Sequence, residues 1–272
     1  MSPPLPLTVT VITLNERRNL DRCLRSVAWA AERLVVDSGS DDGTLEIAAR
    51  HGARVVTRPW PGYVNQKNFA VDQARHDWVL SLDADEWLTD ECAEEIRGVL
   101  ASPRADAYAF RRVTSFSGDF VPHVWARDWQ TRLFRKGRAV FAGGQVHESL
   151  RLTDGGTLAR MRAPLMHLGY RSIRDYVERL NRYTDLAASS LADDGVAPSL
   201  VRLFLSPPAA FIKLYLLRLG FLDGVRGFVV AAGSAFYVLL KYAKLWEARR
   251  TASTELTDAA GSTPEDPDPG AR

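Results

Sequence analysis

The sequence predicts an α/β fold, a Rossmann-like and mostly parallel sheet with helices on both faces, followed by a helical, membrane-associating C-terminal segment. Through residue 82, short β-branched runs alternate with stretches of helical periodicity, and such alternation needs crossover connections that cover both faces of a parallel sheet. Acidic, turn-forming residues stand just after several of the strand-like runs. Near the C-terminus an uncharged run, 227–240, lies between Arg226 and Lys241.

The first strand is Leu7–Thr13, and a helix follows from Arg18 to Trp29, with Leu20, Leu24 and Val27 at helical spacing. Arg33–Asp37 is the second strand. The turn-rich Ser38–Gly43 leads into a helix through Ala49, then come a strand at Ala53–Thr57, a turn at Pro59–Gly62, a helix from Asn65 to Ala74 and the strand Trp78–Leu82. From Ala107 to about Tyr170 the pattern changes to short strands with polar and aromatic loops. Two helices follow, Ser172–Leu191 and Ser199–Leu219, the second expected to break at Pro207-Pro208. This divides the chain into a flexible start (1–6), a catalytic domain (7–170), a helical segment (171–250) and a Pro- and acid-rich disordered tail (251–272).

With 272 residues, 46% of them hydrophobic and 25% charged, the chain can bury a substantial core and is neither disordered throughout nor polytopic. A net charge of +2 argues against nucleic acid as a partner, because phosphate-backbone binding draws on a strong basic excess. Cys23 and Cys92 lack CxxC spacing and read as reduced packing residues. Met1–Pro6 has neither a basic stretch nor a long apolar one, so no secretory signal is expected and the catalytic part is placed in the cytoplasm.

Ligands of doubly wound sheets bind beyond the strand C-termini, so the residues there carry most information. They are Asn15-Glu16 after strand one, Asp37-Ser38-Gly39-Ser40-Asp41 after strand two and Asp83-Ala84-Asp85 after the Trp78–Leu82 strand, with Lys67-Asn68 on the intervening helix. A nucleotide diphosphate needs hydrogen-bond partners for base and ribose, a cation near its oxygens and a divalent ion for its charge, and this set supplies each. In Asp83-Ala84-Asp85, two carboxylates one residue apart can converge on one hard cation or divide between cation and ribose. Simpler readings stand beside these. Asp37 also reads as a turn carboxylate, Asn15-Glu16 as a helix start, Lys67 as a solvated helix face, His167 as a hydrogen-bonded core histidine, and Arg132 and Arg135 as a charged strand face.

The stretches Val11–Glu16, Val35–Thr44 and Leu82–Glu86 resemble the three leading motifs of the family 2 glycosyltransferases of GT-A fold. The resemblance covers about the first 170 residues. Val146-His147-Glu148, Gly220–Gly224 and Lys241–Glu247 extend it toward the lipopolysaccharide-core β-1,4-glucosyltransferase branch. It implies an inverting hexosyltransferase that uses a nucleotide-diphosphate sugar, UDP-glucose first, with Mg or Mn as divalent cation, and a saccharide or lipid-linked saccharide as acceptor. Thr13, Leu14, Asn15, Glu16, Asp37, Ser38, Gly39, Lys67, Asn68, Asp83, Ala84, Arg132 and Arg135 would then line the donor, while Asp85 and the late His167 would bind the metal. The family's downstream acidic motif is commonly Glu-Asp. His147-Glu148 stands in its place here, and Glu148 is assigned as the catalytic base.

Residues 227–240 are too few for a span, which needs about 20 apolar residues. Apolar Phe211–Leu222 before them, and Lys241, Tyr242, Lys244 and Trp246 after, read as a peripheral anchor on the inner face of the cell membrane, the alternative being a buried helix against the catalytic domain or a second subunit. A sugar nucleotidyltransferase would need a glycine-rich loop after strand one, which Leu14–Arg18 lacks. A non-catalytic nucleotide-sugar adaptor is disfavoured by the intact acids at 83, 85 and 148.

Overall fold

The computed structural model describes residues 5–143 and 148–261, with side chains as far as residue 250. His147 and the end of the tail therefore lie outside the described residues. The chain divides into two compact units, residues 1–169 and 170–272.

The first unit runs β1 (Leu5–Thr13), α1 (Leu20–Ser26), β2 (Ala30–Asp37), α2 (Thr44–Arg50), β3 (Arg54–Thr57), α3 (Tyr63–Asp72), β4 (Trp78–Asp83), β5 (Glu86–Leu88), α4 (Asp90–Ala101), β6 (Ala107–Phe116), β7 (Asp119–Phe120), β8 (Trp129–Arg135), β9 (Ala139–Gly143), β10 (Glu148–Leu152), β11 (Leu158–Arg160) and β12 (Leu165–Tyr170). The main sheet has the order β3-β2-β1-β4-β8-β6-β12-β5. Its first four strands are parallel, and β8 runs antiparallel to both β4 and β6. The alternating part of the sequence thus gives the Rossmann-like half, and the irregular part closes the sheet. Val9, Val11, Leu80 and Leu82 on the central strands are fully buried, covered by helices that contribute Leu20, Leu24 and Ile96. The strand-one boundary shifts, because Leu5 already pairs with Ala30.

Register positions the site. Thr13 pairs with Asp37 and Ile12 with Asp83, so the ends of β1, β2 and β4 form one row at the C-terminal edge of the parallel strands. The strands β9 and β10 form a separate two-stranded sheet whose ladder places Glu148 opposite Gly143.

The second unit contains α5 (Ile173–Asp193), α6 (Leu200–Ile212), a π-helical turn at Lys213–Leu217, a 3-10 turn at Gly220–Asp223 and α7 (Gly224–Gly261). Ser172 caps α5 by accepting the Asp175 N–H at 3.1 Å. Its buried stripe of Tyr176, Leu180, Thr184 and Ala188 repeats every four residues. Tyr176 packs so closely on α7 that a Cβ at Gly233 would lie 2.3 Å from its ring, and its hydroxyl donates to the Val230 carbonyl at 3.3 Å. Lys244, expected as a membrane-facing flank, instead donates to Asn181 Oδ1 and Thr184 Oγ1, both at 2.8 Å, and to Asp185 Oδ1 at 2.5 Å.

Two other expectations change here. The helix α6 runs through Pro207-Pro208 instead of breaking. The missing N–H groups leave the Leu203 and Phe204 carbonyls without helical donors, a loss offset by packing of α6 along α7. The run 227–240 is one part of a longer helix, and α7 continues to Gly261, past the tail boundary at 251. Segments 200–217 and 220–250 are each long and apolar enough to cross a membrane, with only 6% and 17% of their best windows buried.

Candidate active site

The turn after β2 is built around one carboxylate. Asp37 is fully buried, with Oδ1 accepting the Gly39 and Ser40 N–H groups at 2.9 and 2.8 Å and Oδ2 accepting the Thr13 and Ser40 hydroxyls at 2.9 and 2.5 Å. Burial works to raise the Asp37 carboxyl, but these donors outweigh it and hold it below the usual carboxylate range. Gly39, at φ 103°, supplies a left-handed conformation that the turn needs.

Asn15, at φ 57°, crosses to the same loop, its N–H donating to Ser40 Oγ at 2.8 Å and its Oδ1 accepting the Asp41 N–H at 3.0 Å. The Glu16 N–H donates to the buried Thr44 hydroxyl at 2.9 Å, and the Glu16 carboxylate accepts from Asn19 at 2.8 Å. Ser38 accepts from Gln66 at 3.1 Å, and Leu14 is half exposed. The two leading motifs therefore form one interlocked rim.

A charged cluster lies below the end of β4. Lys67, 2% exposed, donates to Asp83 Oδ1 at 2.8 Å and Glu148 Oε1 at 2.9 Å. Arg132, also buried, binds Asp83 Oδ2 and Glu86 Oε1 through one nitrogen. Burial opposes ionisation of Asp83, yet Arg132 and Lys67 together hold its carboxyl well below the usual range. Glu86 is fully buried, receives the Asp83 N–H at 3.0 Å and faces Arg112 as well, while Arg112 also pairs with Asp128 at 2.8 Å. Glu86 and Asp128 thus serve as counter-ions to arginine. Glu148 keeps a side chain that is 21% exposed and lines a small pocket with Trp129, Gln130, Phe141 and Ser149.

Ala84 is buried and carries the chain to Asp85, whose carboxylate is 31% exposed. His167 pairs with Glu86 in the β12–β5 ladder, which brings its Nε2 to 3.4 Å from Asp85 Oδ2. Its Nδ1 lies 3.1 Å from the Thr114 hydroxyl, fixing the ring with Nε2 toward Asp85. Two ligand atoms on one octahedral Mg or Mn at about 2.1 Å each sit about 3 Å apart, so this pair fits a divalent ion. Among the described residues no third His, Cys, Asp or Glu joins them, a donor set suited to a cation that completes its shell with phosphate oxygens and water.

Two residues expected at the donor are directed elsewhere, and two others meet carboxylates. Arg135 pairs with Trp78 at the opposite end of β4 and lies over that ring at 5.4 Å, because β8 runs antiparallel and carries it away from the site. Asn68 spends its amide on the Phe141 backbone, donating to the carbonyl and accepting the N–H at 2.9 Å each. Lys67 and Arg132 reach the cluster, but their charges meet carboxylates. Thr44, Thr114, Arg112 and Gln66 were not singled out in the sequence. Thr44, two residues after Asp42 in the second motif, carried the only local signal.

A family model described as Glycosyl transferase family 2 matches residues 8–151, more than half of the chain. The chain belongs to glycosyl transferase family 2, a glycosyltransferase on the α/β GT-A fold. The lipopolysaccharide core biosynthesis glycosyltransferase LpsC of Rhizobium meliloti (strain 1021) is 30% identical over 256 residues, covering 91% of this chain and 94% of that relative. An uncharacterized glycosyltransferase of Rickettsia bellii (strain RML369-C) is 34% identical over 253 residues, covering 89% and 86%. Among solved structures, S. aureus TarS 1-349 in complex with UDP-GlcNAc is 14% identical, covers 91% of this chain and 92% of its own, and superposes with a TM-score of 0.47.

Proposed function

We propose that this chain is an inverting, divalent-cation-dependent hexosyltransferase that moves glucose from UDP-glucose to a lipid-linked or cell-envelope saccharide at the cytoplasmic face of the membrane. The observation that carries this reading is the arrangement after β4: Asp85 paired with His167, and Asp83 joined to Glu148 through Lys67. Similarity to a relative named for lipopolysaccharide core biosynthesis supports the envelope acceptor.

The reaction is one displacement. Glu148 takes the proton of an acceptor hydroxyl, the freed oxygen bonds to the anomeric carbon, and the carbon–oxygen bond to the diphosphate breaks on the opposite face with its electron pair leaving on the nucleotide. Inversion follows from a single attack. Asp85 and His167 would hold a divalent cation, which when bound would supply charge stabilisation to the diphosphate leaving group. Asn15 and Glu16, with Leu14, Ser38 and Gly39, form the wall against which base and ribose bind, and the buried Thr13 and Asp37 hold that wall in shape.

A thermal-shift panel of nucleotide sugars tests the donor. UDP-glucose at about 100 times its Kd should raise the melting temperature by about 5–10 °C with Mg or Mn present and much less in chelator. A shift given only by guanosine or cytidine sugars overturns the uridine assignment, and shifts indifferent to metal overturn the cation.

For the membrane, Phe204, Leu217 and Val225 are 67%, 74% and 81% exposed. Changing all three to Ser should release the protein from liposomes while leaving its melting temperature within a few degrees, since little buried area is lost. Unchanged flotation, with a shift in oligomeric state instead, means that these faces meet a second copy.

A further inference from the structure

We propose that Lys67 positions the general base, tying Glu148 on the β9–β10 hairpin to Asp83 at the end of β4, and that it does not ligate the donor's diphosphate. This rests on the reading of Glu148 as base.

A buried ammonium is costly unless paired with carboxylates at close range. Lys67 satisfies that condition with partners from two separate sheets, Asp83 Oδ1 at 2.8 Å and Glu148 Oε1 at 2.9 Å, while the Phe141 ring centroid lies 5.5 Å from its Nζ. Among the described residues, the β9–β10 ladder forms a two-stranded sheet of its own. Apolar packing of Phe141, Leu150 and Leu152 against Val79 and Phe134 seats the hairpin on the main sheet, and the Lys67-Asn68 dipeptide of α3 adds the polar contacts at its reactive end. Asn68 holds the Phe141 backbone in β9 through two hydrogen bonds, and the adjacent Lys67 holds the Glu148 side chain at the start of β10. One residue pins the β9 backbone and the next holds the Glu148 carboxylate.

The burial of Lys67 opposes a phosphate-binding role. Its side chain is 2% exposed and faces two carboxylates, so a diphosphate oxygen would need both a path inward and displacement of an existing partner. Arg132 gives Asp83 a second cation, so Lys67 is needed at Asp83 less for charge than as the fixed end of the tie to Glu148. Glu has several rotatable bonds, and holding one rotamer toward the acceptor pocket removes motion that the reaction would otherwise need to arrest.

A double-mutant cycle tests this, using Lys67→Met, Glu148→Gln and both together, with UDP affinity by calorimetry and turnover as UDP release from UDP-glucose. Lys67→Met should lower turnover by about 100-fold with UDP affinity changed less than threefold, and should add less than threefold when Glu148 is already Gln. Lys67→Gln, which keeps an N–H donor, should recover part of the loss, and serves as the cycle partner if the Met variant melts at too low a temperature to assay. UDP affinity weakened tenfold or more by Lys67→Met makes Lys67 a phosphate ligand and overturns the inference. So do losses that multiply across the cycle, because Lys67 then acts independently of Glu148. Full turnover in Glu148→Gln alone overturns the base reading and this inference with it. Loss in Glu148→Gln with multiplying effects overturns the inference only.

Discussion

Glu148→Gln should lower turnover by about 10²–10⁴ while nucleotide affinity stays near that of the parent protein. The amide keeps the shape of the carboxylate and an oxygen that can accept from Lys67, now 2.9 Å from Glu148 Oε1, but it cannot take a proton from an acceptor hydroxyl. Folding should survive. Lys67 retains Asp83 at 2.8 Å, so the substitution leaves no isolated buried charge, and the weakened pair should cost about 1–2 kcal/mol. Initial rates, a binding titration and a melting curve on one preparation separate these effects. The nearby acids are poor substitutes, because Glu86 is enclosed by Arg132 and Arg112 and Asp128 is held by Arg112. Turnover near that of the parent protein would place the base outside this cluster.

Asp85→Ala should reduce transfer by about three orders of magnitude and abolish the tightening of nucleotide binding by Mg or Mn. His167 at 3.4 Å is the partner that the Asp85 carboxylate meets, and the carboxylate is 31% exposed, so its removal strands no buried ion. Melting temperature should therefore change little, which separates a lost cation from a lost fold. Parent protein in chelator should behave like the variant. Transfer at full rate under chelation would sink the metal assignment, and full activity of Asp85→Ala with metal still required would move the ligand to another carboxylate.

The interlocked turns after β1 and β2 were legible in the sequence because their chemistry is local. Asp37 lies within three residues of Gly39 and Ser40, whose N–H groups it accepts, and short-range turn chemistry of Asp, Ser and Gly follows from residue order. The parallel half of the sheet was legible for a similar reason, since alternation of strand and helix admits few topologies.

Residues later in the chain carried less information, because their roles depend on strand direction and register. Arg132 and Arg135 look equivalent in sequence, yet the antiparallel placement of β8 sets one against Asp83 and the other beside Trp78 at the far end of β4. The chemistry of Lys67 is also nonlocal. Its partners are 16 and 81 positions away, and only the meeting of α3 with β4 and β10 makes a solvated-looking lysine a buried tie.

The sequence by itself determined the α/β class, the turn motifs after β1 and β2 and the acidic triplet, since each is set by periodicity or by neighbours a few residues apart. Tertiary structure decided which charges neutralise one another, that α6 continues through its prolines, and that Asp85 meets His167. Those outcomes depend on burial and on pairing between distant segments, where the cost of an unpaired charge selects the arrangement.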